Sequence, residues 1–309
     1  LHWKSPDMRK PLDYLLLGIK GMGMGAADVV PGVSGGTIAF ITGIYEELLS
    51  SIAAIKPSLI RTIGKEGIGA AWKAINGNFL VAVFAGIGIS VVSLAKLFAW
   101  ILKEHPVMLW SFFFGLILAS IPMVWSQLKK NSFDTYISFM AGAIIAFAIT
   151  EMPVSEGTDE SWFIFVSGVL AICAMILPGI SGSFILLLLG MYQFVLEAVN
   201  ERDIVTLGIF AAGCLIGLLS FARLLSFLFK RFHDITVALM AGFLLGSLNE
   251  IWPWKKTLQY RENSKGEMVP FLQENIAPEN ETMWTGFGLM LAGILMIFAL
   301  SRISARNKQ

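Results

Sequence analysis

Pro31-Gly32-Val33-Ser34-Gly35-Gly36-Thr37 returns 147 residues later as Pro178-Gly179-Ile180-Ser181-Gly182-Ser183-Phe184. Both copies interrupt an apolar stretch. Proline blocks continuation of the helix before it, and serine belongs at the start of the helix after it, so each copy predicts a helix that enters, breaks and starts again. At the same offset Gly21, Ala27, Gly43 and Tyr45 meet Gly168, Ala174, Gly190 and Tyr192. Farther along the register changes to 127, where Gly86, Ser93, Lys96, Leu97, Gly115 and Ser120 meet Gly213, Ser220, Arg223, Leu224, Gly242 and Ser247. The two registers differ by an insertion of 20 residues, which falls within 56–78. There Leu59, Ile60, Ile63, Ile68, Trp72 and Ile75 punctuate a basic segment, the pattern of a helix lying on a membrane surface.

Composition supplies the solvent. Of 309 residues, 56% are hydrophobic and 15% charged, with a mean hydropathy of +0.71, which is more apolar surface than a soluble domain of this length can bury. The chain reads as an integral membrane protein. Its 23 Lys plus Arg nearly cancel its 22 Asp plus Glu, so no basic excess points to nucleic acid. Cys173 and Cys214, the only cysteines, both lie in apolar runs, and the three histidines are widely spaced. Neither a disulfide framework nor a metal site is expected, and no cofactor. The N-terminal LHWKSPDMRKP lacks the apolar core of a secretory signal.

Ten apolar stretches follow, five in each half. Lys and Arg near the ends of spans stay cytoplasmic, which puts Lys4, Arg9 and Lys10, the 56–73 insertion, Lys129 with Lys130, Lys230 with Arg231, and Arg302, Arg306 and Lys308 inside. The acidic linker with Glu151, Glu156, Asp159 and Glu160 and the long loop 252–283 fall outside. Both termini are then cytoplasmic. Each half contains an odd number of crossings, so the second is inverted relative to the first, an architecture of transporters whose substrate site lies where interrupted helices meet. The expected fold is all-α and polytopic, with two inverted-topology repeats of about three transmembrane helices and one re-entrant helical hairpin each. The first repeat is 1–155, with hairpin 12–55, interfacial helix 56–78 and spans 79–150. The second is 156–309, with hairpin 162–199 and spans 204–301.

Non-helical backbone at membrane depth requires cover by protein or a polar cavity. At each tip a returning helix would present unpaired amides and a partial positive charge that suit a phosphate or carboxylate. The predicted anion-binding residues are Ser34, Gly35, Gly36 and Thr37 at the first tip and Ser181, Gly182 and Ser183 at the second. Lys96 and Arg223 join them as a matched cation pair, costly if facing lipid. The competing readings are small-residue packing for the glycines and serines and snorkelling for the cations. Asp28, Glu46, Glu47 and Lys20 are charged where the second half is not, with Met175, Gln193 and Phe194 opposite Asp28, Glu46 and Glu47. They are candidate proton or sodium sites, or ion pairs that neutralise one another.

Gly32-Val33-Ser34-Gly35-Gly36 fits a nucleophile elbow in form, but no strand precedes it and no histidine lies in a plausible neighbouring segment, so a membrane serine hydrolase fails in context. A lipid phosphatase needs a phosphate-binding basic set with histidines, and His105 and His233 fall at opposite membrane faces in this topology. A small-anion transporter or channel stays open, although no ring of like residues or filter sequence is visible.

Taken together, PGVSGGTIAFITGIYEELL and LPGISGSFILLLLGMYQFVL resemble the bacterial polyprenyl-phosphate transporter family, over about Leu12 to Ser301. The resemblance implies a non-enzymatic translocase of the bacterial cytoplasmic membrane that returns undecaprenyl phosphate from the outer to the inner leaflet. It leaves any coupling ion open.

Overall fold

The computed structural model describes residues 9–30, 32–262 and 268–306, so Pro31, Lys4 and Lys308 of the readings above lie outside it. The chain begins with α1 (Pro11–Val29), whose proline at the first helical position forgoes an N–H that would be unpaired anyway. After the first Pro-Gly break come α2 (Gly35–Ile41) and α3 (Tyr45–Ala53), then α4 (Ser58–Glu66) and α5 (Ile68–Ala74). Next are α6 (Gly77–Glu104), α7 (Pro106–Trp125) and α8 (Phe133–Thr150). The second half repeats the order with α9 (Ser161–Ile176), α10 (Gly182–Leu188), α11 (Tyr192–Glu201), α12 (Ile204–Arg231), α13 (His233–Gly246) and, after a β-hairpin, α14 (Asn280–Arg306).

Among the described residues five helices, α6, α7, α8, α12 and α14, are long and apolar enough to cross a membrane. The α10–α11 pair is apolar enough as well but bends by 105° at its break. The protein is mostly helical and multi-pass. Two local expectations change. The expected single interfacial helix is two short ones, separated at Gly67, whose φ of +87° ends α4; Ile60, Ile63, Ile68 and Trp72 stay exposed along the pair. Part of the loop 252–283 is a two-stranded antiparallel sheet, β1 (Lys255–Glu262) with β2 (Met268–Asn275), pairing Lys255 with Asn275. Thr257, Leu258, Gln259 and Tyr260 alternate polar and apolar, a period of two that a search for long apolar windows passes over.

The sequence registers recur in the packing. α1 lies on α6 and α9 on α12, in each case through glycines set against a neighbouring backbone. A methyl group on Gly21 would overlap the Val83 carbonyl, and one on Gly168 the Phe210 carbonyl. Gly86 is pressed likewise on Gly18, and Gly213 on Phe165. Each second contact is the first shifted by 147 on one helix and 127 on the other. Without a hydrophobic driving force between helices in lipid, such close approach of backbones is what holds them. The last helices are exchanged: α7 packs on α14, where Gly293 meets the Phe112 carbonyl, and α13 packs on α8, where Gly142 meets the Leu239 carbonyl. The buried core centres on α2 and α3, with Phe40, Ile41, Tyr45 and Leu49 against Leu225, Phe229 and Leu244.

Candidate functional site

The two Pro-Gly breaks touch. Ser34 Oγ donates to the Met175 carbonyl at 2.8 Å, and the Gly179 amide donates to Thr37 Oγ1 at 2.9 Å. Tyr45 donates its hydroxyl to the Ile176 carbonyl at 3.0 Å, so the residues just before the second break are held by the first hairpin. Gly32 (φ +78°) and Gly179 (φ +86°) make the turns, in backbone that a side chain would strain. Breaking two helices side by side lets each satisfy groups the other frees, which is how irregular backbone survives at membrane depth.

The tips differ in what their amides meet. At the first, the Gly35 amide donates to Asp28 Oδ1 at 2.6 Å, the Gly36 amide to Ser34 Oγ at 3.0 Å, and the Thr37 amide to the Ser34 carbonyl at 2.9 Å. An internal carboxylate thus occupies the anion-seeking end of α2. At the other end of this short helix Lys20 donates to the Thr42 carbonyl at 2.8 Å, where a cation complements the helix dipole. α1 therefore clasps α2 at both ends. At the second tip Ser181 Oγ pairs with Ser183 Oγ at 2.8 Å instead of capping, and among the described residues nothing accepts from the amides of Gly182, Ser183 and Phe184.

Beside this second tip is a small, mostly apolar cavity, lined by Ala146, Ile149, Ile180 and Phe184 as well as by Gly32, Gly179, Ser181, Ser247, Thr150 and Glu250. Glu250 is the charged member of the lining, and Lys255 attends it, its Nζ donating to the Glu250 carbonyl and lying 3.9 Å from Oε1. Burial pulls the Lys255 ammonium below its usual range, against the pull of Glu250.

Of the predicted residues, the structure gathers Ser34, Gly35, Gly36, Thr37, Ser181, Gly182, Ser183 and Asp28. It does not bring Lys96 or Arg223 to them. Arg223 is exposed and donates to the Ile55 carbonyl at 2.6 Å, beyond the far end of α3; Lys96 is exposed on α6 with no partner among the described residues. Glu47 holds Arg9 at 2.6 Å and Asn76 at 2.7 Å, and Glu46 lies 3.5 Å from His233. These carboxylates tie α3 to its surroundings, away from the tips. Sequence reasoning missed Glu250, Lys255 and Trp110. The available signal was the basic pair Lys255-Lys256 in a loop assigned outside, where lysines are not expected.

This arrangement can be compared with known proteins. Residues 24–269 match the model of the undecaprenyl phosphate translocase-like family. The chain belongs to that family. It is 48% identical over 305 residues to a polyprenyl-phosphate transporter of Vibrio cholerae, covering 96% of this chain and 99% of the relative. It is 30% identical over 309 residues to a polyprenyl-phosphate transporter of Staphylococcus aureus, covering 94% and 97%. No solved structure matches it. Family membership thus rests on nearly the full chain, both breaks included.

Proposed function

We propose that this protein carries undecaprenyl phosphate across the bacterial cytoplasmic membrane, from outer to inner leaflet, as a carrier and not an enzyme. A phosphate monoester cannot enter hydrocarbon unaided, because a buried unpaired charge costs far more than a bound lipid can offset. Its isoprenoid tail needs no protein. The transporter therefore has to cover only a headgroup, and the observation that carries the reading is the junction of two broken helices with the α10 amides open beside a small cavity that Glu250 also lines. In this reading Ser181, Gly182 and Ser183 receive the phosphate while Ser34, Gly35, Gly36 and Thr37 build the wall behind them, with Asp28 as the resident anion of the first tip and the candidate proton site. Lys96, left without a described partner, is the cation an approaching headgroup meets.

The two halves are read as inverted repeats that alternate access around the junction. The recurring glycine contacts at both registers support the repeat, and the distribution of Lys and Arg supports the inversion, with both termini cytoplasmic. The relatives' names support the substrate.

Transport of undecaprenyl phosphate in liposomes tests this. The parent should translocate the lipid at a saturable rate and return it chemically unchanged. Ser183→Asp, which places a carboxylate beside the α10 amides, should slow it roughly tenfold, the equivalent of about 1.4 kcal/mol of lost binding. Bulk anion current would replace the carrier with a channel, and an altered lipid would replace it with an enzyme.

A further inference from the structure

The cavity at the second tip contains a contradiction: its charged lining residue is Glu250, and a carboxylate repels a phosphate. Lys255 removes it. Its ammonium lies 5.8 Å from the centre of the Trp110 ring, and Trp110 in turn stands 3.5 Å from where a Cβ on Gly32 would be. Glu250 approaches the same point to 3.3 Å. Lys255 and Trp110 therefore adjoin Gly32 and Glu250, which line the cavity together with Gly179 and Ser181.

The pairing between the two charges is loose. Charge-assisted N–H···O bonds run to about 2.7–2.9 Å, whereas Nζ and Oε1 are 3.9 Å apart, and the described bond of the ammonium goes to the Glu250 backbone carbonyl instead. An ammonium has three donors, so two are left for another acceptor. The side chain is 13% exposed, enclosed yet reachable. Its position is fixed from both sides. Trp252 donates to the Ile276 carbonyl and Trp254 to Thr282 Oγ1, each at 2.9 Å, anchoring the chain just before β1, and Lys255 begins the strand.

We propose that Lys255 is the headgroup-recognising cation of the tip cavity and that Glu250 is its placeholder: an arriving phosphate monoester takes the free donors of the ammonium and Glu250 gives way. Trp110 supplies an aromatic face that keeps the cation in place in both conditions. The inference rests on the phosphate reading of the cavity given above and adds to it the residue that recognises the ligand. It also explains why a loop assigned outside carries a lysine that folds inward, since a carrier loading from the outer leaflet needs its cation on that side.

Binding of undecaprenyl phosphate, and separately of inorganic phosphate, to the full chain in detergent would be measured at low salt for the parent, Lys255→Met, Lys255→Arg and Glu250→Gln. Lys255→Met should weaken binding at least tenfold, Lys255→Arg should retain most of it, and Glu250→Gln, which removes the competitor, should equal or exceed the parent. If loss of the cation alone prevents folding, the double variant Lys255→Met with Glu250→Gln leaves no unpaired charge and should fold with the same tenfold deficit. Binding of both probes with the same dependence on Lys255 identifies phosphate itself as the recognised group, and binding of the lipid alone identifies the lipid headgroup. Unchanged affinity in the double variant overturns the assignment. A parent that binds neither probe overturns the phosphate reading beneath it, so the two failures are distinguishable.

Discussion

The two broken helices carry the same pentapeptide pattern and are held in opposite ways. In the first, Asp28 and Lys20 grip the ends of α2, and the returning arm is core: Tyr45, Leu49 and Ile52 are 3%, 1% and 5% exposed. In the second, the positions 147 residues on from Asp28 and Lys20 are Met175 and Ser167, which offer no grip, and Tyr192, Leu196 and Val199 are 39%, 41% and 52% exposed. α3 lies along α12, with the Tyr45 and Phe229 rings 5.7 Å apart, whereas α11 has no comparable packing along α6. The Pro-Gly motif makes a break; the charges around it decide whether the break is fixed. In the proposed orientation the fixed arm ends at the cytoplasmic face and the loose arm at the outer face. Under the proposed function, the firmly packed arm would be the one that closes the cytoplasmic side and the exposed arm the one that yields to lipid from the outer leaflet.

The largest expected difference between the arms is in stability. Tyr45→Ala removes a buried ring from the aromatic cluster with Phe40 and Phe229 and should cost about 3–5 kcal/mol. Tyr192→Ala should cost under about 1 kcal/mol, because the ring it removes is part exposed. Unfolding of both variants in mixed micelles would measure this, and equal losses would mean that the second arm is as firmly packed as the first.

Next in size is the clasp. Asp28→Ala strands the Gly35 amide and should cost about 1–3 kcal/mol. The reverse experiment is more informative: Ser167→Lys with Met175→Asp gives the second hairpin the grips of the first. It should protect the amides of Gly182, Ser183 and Phe184 from hydrogen exchange and slow lipid transport roughly tenfold, since the new carboxylate competes for the same donors. Transport at the parental rate with protected amides would separate those amides from the headgroup site.

What could be read from sequence follows from how far each signal reaches. The breaks, the duplicated register and the long spans are local or periodic, so Pro31, Ser34, Pro178 and Ser181 announced them directly. The odd charges of the first hairpin were visible too, but nothing in the sequence distinguished a coupling carboxylate from a cap, and Asp28 bonds the Gly35 amide seven residues away. Lys96 and Arg223 lie away from the tips because a matched repeat position fixes height along a helix and not the direction of a long side chain. Lys255 was hidden for the opposite reason. It is in a polar loop, and only the sheet and the anchoring of Trp252 and Trp254 set it against Glu250 and Trp110.

The smallest effect tests that matched cation pair. Arg223 donates to a carbonyl just beyond α3, where a cation complements the helix dipole, so Arg223→Ala should cost about 0.3–1 kcal/mol and loosen the sealed arm. Lys96 is exposed with no described partner, and Lys96→Ala should leave stability within about 0.5 kcal/mol of the parent. Its contribution is expected in rate alone: a modest slowing of lipid transport at low salt that disappears as ionic strength shortens the reach of an exposed charge to a few ångströms. A salt-independent loss in Lys96→Ala would instead mean that this lysine closes on the α11 arm during the cycle, as Arg223 does on the other side. The two hairpins would then differ by conformation and not by construction.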